Sequence, residues 1–157
     1  VAIKTDSIRW DIWQGVPYTE GALVYKSADQ SIPDLTWTTL TFDSEAYDTD
    51  NIHDPTTNNS RLTCKTAGKY LVYFMLNWEG NATGYRHTRL KKNGVTLAEP
   101  LIFNPGGSVE TCLPGLIVLD LSVNDYVELM AYQNSGGALD IFGSDLTETY
   151  FGMQRIG

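Results

Sequence analysis

Residues 68–76 read GKYLVYFML, a glycine followed by eight residues of which Lys69 alone is charged. Successive side chains of a β-strand point to opposite faces. Tyr70, Val72 and Phe74 therefore fall on one face and Leu71, Tyr73 and Met75 on the other, so both faces are apolar or aromatic. A chain of 157 residues has material for one domain with one core. The second face calls for cover, either from within the chain or from another subunit.

Outward from this stretch, short strand signals alternate with turn residues. ALVYKS precedes SIPD, and LTWTTLTF alternates Thr with Leu, Trp and Phe. The polar stretch DSEAYDTDNIHDPTTNNS leads to RLTCKT, and beyond KYLVYFMLNW come YRHTRLKK, a turn at Asn93-Gly94, and VTLAEPLIF. NPGGS separates these from VETCLPGLIVLDLS, DYVELMAYQ and a final ETYFGMQRI. Enrichment in Thr, Val, Tyr and Ile with Gly, Asn and Pro punctuation predicts an all-β sandwich or barrel without long helices. Residues 1–19 differ, with Ile3, Ile8, Trp10, Ile12 and Trp13 scattered among charges without a period. They read as an N-terminal arm or linker, or equally as a first edge strand, ahead of a domain over 20–157.

Three segments carry a resemblance: AGKYLVYF (67–74), GLIVLDLSVNDYVELMAY (115–132) and ETYFGMQRIG (148–157). In this order and spacing they resemble the complement globular-head and tumour-necrosis-factor superfamily. Asn124 stands where that family usually has glycine, and asparagine also tolerates a left-handed turn. No collagen-like repeat precedes the domain. The resemblance implies a ten-strand jelly roll assembled as a homotrimer. It places Leu71, Tyr73, Met75, Tyr150, Gln154 and Ile156 at the trimer interface, with Tyr70, Val72, Phe74, Phe151 and Met153 in the core. The stretch from Ala28 to Leu71 further resembles heads of phage fibres and bacterial surface proteins of this superfamily.

The catalytic signatures GxSxG, P-loop, HExxH and the Rossmann glycine pattern are all missing from the sequence. His87, among Arg86, Arg89, Lys91 and Lys92, reads as a solvated strand residue. The acidic run DSEAYDTDNIHD reads as a solvated loop; if calcium binds, Asp48, Asp50 and Asp54 are its expected ligands. WEGNATGYRH suggests a carbohydrate-facing loop with Trp78, Tyr85 and Arg86, against the plainer reading of structural aromatics. Asn58 and Asn81 head N-x-S/T triplets that occur often by chance. Cys64 and Cys112 read as two buried thiols rather than a mutual disulfide.

With 11 basic and 19 acidic residues the net charge is −8, which argues against nucleic-acid partners and anionic membranes. No stretch is long and apolar enough to suggest membrane insertion. The chain starts at Val1 rather than Met, and is read as a processed product or a piece of a longer protein. These readings converge on a non-enzymatic trimeric head of a virion or surface appendage, foremost a fibre tip that binds a cell-surface glycan or protein. A capsid decoration trimer, held to other virion proteins by Trp10 and Trp13 of its arm, is the alternative, and a bacterial adhesion module the second. An enzyme with an unrecognised carboxylate pair is the least supported reading.

Overall fold

The structure, a computed structural model, describes residues 20–157, except for the side chains of Pro100 and Leu101. The arm residues Trp10 and Trp13 lie outside the described residues. Twelve strands follow in chain order: β1 Gly21–Tyr25, β2 Gln30–Ile32, β3 Thr38–Thr39, β4 Ser44–Asp48, β5 Arg61–Thr63 and β6 Gly68–Trp78, then β7 Arg86–Lys92, β8 Val95–Phe103, β9 Thr111–Leu121, β10 Tyr126–Gln133, β11 Leu139–Ile141 and β12 Tyr150–Arg155. All described pairings are antiparallel. Seven strands form an inner sheet, in the order β2-β11-β6-β12-β1-β4 with β9 on the other side of β6; β3-β10-β7-β8, with β5 also on β10, form an outer sheet of five.

The alternation expected of β6 is realised. Tyr70, Val72, Phe74 and Leu76 are at most 3 % exposed, whereas Leu71, Tyr73 and Met75 are half-buried on the face away from the core. Between the sheets they meet Val127, Leu129 and Ala131 of β10, Leu90 of β7, and Phe151 and Met153 of β12. The β6–β9 ladder runs in register over the whole of both strands, from Gly68 opposite Leu121 to Trp78 opposite Thr111. The β7–β8 hairpin turns at Asn93 (φ 52°) and Gly94 (φ 78°), the pair of left-handed residues a two-residue hairpin requires. Asn124, with φ 72°, takes the left-handed turn expected of it.

Several details depart from the sequence reading. Strands number twelve among the described residues rather than ten, because β2 and β3 pair for only three and two residues. Of LTWTTLTF, Leu40 and Phe42 are fully buried but Leu35 is 65 % exposed, and only Thr38–Thr39 is a strand. Gln30 explains the break: its side-chain amide donates to the Thr39 carbonyl and accepts from the Thr41 amide, replacing a ladder with side-chain bonds. The acidic run opens as a strand, β4, on the free side of β1. His87 is 8 % exposed rather than solvated, because the rings of Trp37 and Tyr85 pack on it. Both cysteines are free; Cys64 is buried as expected, but Cys112 is exposed because it lies on the outward-facing row of β9.

Candidate functional site

The face of the inner sheet that points away from the core is apolar across five strands. Register brings Tyr73 of β6 beside Gly152 of β12 and Leu116 of β9, Leu71 beside Gln154 and Val118, and Met75 beside Tyr150 and Pro114. β1 adds Leu23 and Tyr25, and β4 adds Tyr47, 37 % exposed. The interface residues expected on β6 and β12 are thus brought onto one surface. Ile156, just beyond β12, is 47 % exposed, and its amide donates to the Lys69 carbonyl.

A polar knot sits in the middle of this surface. The hydroxyls of Tyr47 and Tyr73 lie 3.2 Å apart, and that of Tyr47 donates to Oε1 of Gln154 at 3.3 Å. Tyr150 meets the Tyr73 ring edge-on, with 6.4 Å between centroids. Burial, with the Tyr47 hydrogen bond second, pushes the Tyr73 phenol well above its usual range. Gly152 makes the arrangement fit, since a Cβ there would come within 2.6 Å of Cζ of Tyr73.

Sequence reasoning missed the most exposed part of the surface. Leu116 and Val118 of β9 are 72 % and 52 % exposed. The available signal was the run GLIVLDL, apolar on both faces like β6. Among the described residues β9 pairs with β6 alone and β8 with β7 alone, so no described strand continues either sheet on that side of the sandwich. There Ile102 and Phe103 of β8 are 64 % and 41 % exposed. A contiguous apolar surface of this kind marks an interaction site.

The other two predicted sites are rearranged. Trp78 and Arg86 are fully buried and present no face to a ligand. The Arg86 guanidinium lies over the Trp78 ring and donates to the carbonyls of Asn81 and Thr83, so this cation ties the loop down from inside. Tyr85 separates from them and stacks on Tyr132, within a cluster that includes Trp37 and His87. Arg89 covers the Trp37 ring at 3.8 Å and donates to Glu99. Burial, opposed by Glu99 and aided by Arg89, moves the His87 imidazole below its usual value.

Asp48, Asp50 and Asp54 do not converge. The Asp48 carboxylate accepts from the amides of Asp50, Ile52 and His53, whereas Asp54 accepts from Thr56 and Thr57 in a separate turn. Those Asp54 bonds, Thr57 first, hold its carboxyl at about 2. Among the described residues no group of three or more His, Cys, Asp or Glu side chains is placed to hold a metal ion. Both carboxylates bond the loop's own backbone, an arrangement typical of Asx turns.

No family model matches the chain, and no curated protein sequence matches it. Solved structures do. The globular domain of zebrafish complement 1qA is 19 % identical, with 85 % of this chain aligned to 94 % of that one at a TM-score of 0.59. Murine APRIL is 14 % identical over 87 % of this chain and 98 % of its own, at 0.60. Eiger, a TNF from S. frugiperda, is 12 % identical over 88 % and 92 %, at 0.61. The fold is therefore the all-β jelly-roll sandwich that these proteins share.

Proposed function

We propose that the chain is a non-enzymatic recognition head that assembles as a homotrimer through the outward face of its inner sheet. The observation that carries this reading is the apolar surface of Tyr47, Leu71, Tyr73, Tyr150, Leu116 and Val118, which the described residues of the protomer leave open. A closed threefold ring joins two different surfaces of the subunit, since each copy presents one patch to the next and a second to the previous. Two such patches exist: the tyrosine-centred face, and the open edge where Ile102 and Phe103 meet Leu116 and Val118. Similarity in fold to complement and tumour-necrosis-factor-like heads supports the same assembly.

The finer reading places this head on a phage-like virion or appendage, with a fibre tip preferred over a capsid decoration. It rests on the resemblance of residues 28–71 to phage-fibre heads. Light scattering at several concentrations tests assembly: a mass of three times 17.5 kDa is expected, and a monomer at every concentration refutes it. For the recognition role, the isolated head should compete with the intact particle for its host surface, and failure to compete would count against a tip.

A further inference from the structure

The β4–β5 loop, tied to its own backbone by the Asp48 and Asp54 carboxylates, leaves a polar cleft of about 230 Å³ between itself and β5. Its rim is rigid for identifiable reasons. Asp48 gathers three amides, and Asp54 gathers the next turn. His53, 8 % exposed, spans Oε1 of Glu45 (2.9 Å) and the Asn59 carbonyl (3.2 Å).

Into this cleft face Asn51, Thr57, Asn58, Arg61, Thr63 and Lys65. The Arg61 guanidinium is held from behind, 4.1 Å from the Tyr126 ring, with Nε donating to Glu128 at 3.1 Å. Its two terminal nitrogens have no partner among the described residues, and neither do the ammonium of Lys65, the amides of Asn51 and Asn58 or the hydroxyls of Thr57 and Thr63. Six side chains thus converge with unused hydrogen-bonding capacity and two positive charges. Asp54 is the one carboxylate among the residues that line the cleft, and its bonds from Thr56 and Thr57 go to Oδ1, which leaves Oδ2 for a ligand.

We infer that this cleft takes one ring of an acidic saccharide. The ligand carboxylate meets the preset fork of Arg61 and the point charge of Lys65, a planar guanidinium being suited to two parallel bonds to a carboxylate. The ring hydroxyls meet the asparagine amides, the threonine hydroxyls and Oδ2 of Asp54. The volume suits a single sugar unit rather than a peptide segment. Glu128 behind Arg61 and Asp54 on the rim disfavour a densely charged anion and suit a ligand that mixes one charge with many hydroxyls. The inference rests on the recognition reading but not on the trimer, because every residue belongs to one protomer.

The test is NMR titration of the 157-residue chain with methyl β-D-glucuronide and with the methyl glycoside of N-acetylneuraminic acid. Methyl β-D-glucoside serves as the uncharged control, and propionate as a carboxylate without hydroxyls. At least one acidic sugar should move the amide resonances of residues 51–65, with the controls at least tenfold weaker. Lys65→Gln, at an exposed residue without partners, should weaken binding about tenfold, as should Arg61→Gln. No binding of either acidic sugar, equal binding of glucoside or propionate, or unchanged affinity in Lys65→Gln overturns the proposal. Light scattering on the same samples reports assembly separately, so a trimer that ignores both sugars refutes the cleft and leaves the assembly reading standing.

Discussion

Leu116 offers the sharpest test of the outward face. Truncation to alanine removes three carbons, each contributing about 0.8 kcal/mol when buried. Since 72 % of Leu116 is exposed in the protomer, about 1.7 kcal/mol per copy remains for assembly to gain. Three copies lose about 5 kcal/mol per trimer, close to four decades in the association constant. The half-assembly concentration of a trimer varies as the square root of its dissociation constant, so Leu116→Ala should raise it roughly 70-fold. Leu116→Asp goes further, because a carboxylate would have to be buried without a partner; it should be monomeric wherever the wild type is assembled. Sedimentation across a dilution series measures both, and urea unfolding of the dissociated chains verifies that each protomer still folds. A half-assembly concentration within twofold of wild type in Leu116→Ala, with folding intact, would refute the placement of this residue in the interface.

Three further outcomes are expected. Gly115→Ala sets a Cβ 2.2 Å from Cζ of Phe74, so it should cost about 1–3 kcal/mol of protomer stability by overpacking, read as a lower urea midpoint. Burial, opposed by Asp43 and Asp29, lowers the Lys26 ammonium to about 8. Between that value and the ordinary 10.5 the unfolded chain holds more protons than the folded one, so this group makes stability rise with pH from about 8. Tyr70 and Cys64, raised by burial, act oppositely once they titrate in the unfolded chain above about 9. Lys26→Met should therefore flatten the slope between pH 8 and 9 in urea melts; an identical slope would count against a strained buried ammonium. In the monomeric Leu116→Asp protein, Cys112 should react with a thiol reagent at once and Cys64 only on unfolding; equal rates would contradict their different burial.

The readable part of this molecule was the part in which local pattern and tertiary environment agree. The doubly apolar β6 shows both a core face and a second apolar face in its sequence, and β12 repeats the signal. β9 carries the same signature in GLIVLDL, where Leu116 and Val118 point outward between core-facing Ile117 and Leu119, but likeness to a family says nothing of those two faces. Trp78 and Arg86 misled because a loop of small polar residues surrounds them in sequence, while the fold turns both inward and satisfies the guanidinium with loop carbonyls. Trp37, His87 and Tyr132 come together only through pairing of distant strands, which no local window reports. The acidic run looked like a set of ligands because sequence shows which residues carry carboxylates but not what those carboxylates bond.

The two ends of the described domain lie together. The amide of Arg155 donates to the Glu20 carbonyl and that of Lys69 to the Gly157 carbonyl, each at 2.8 Å, and Gly21 pairs with Gln154 on the neighbouring strand. This geometry sets how the domain bears mechanical load. Tension applied between Glu20 and Gly157 peels β1 from β12 like a zipper, starting at the Gly21–Gln154 rung and ending at Tyr25–Tyr150. The rungs break in succession, so the resisting force is that of one rung rather than of several strained together.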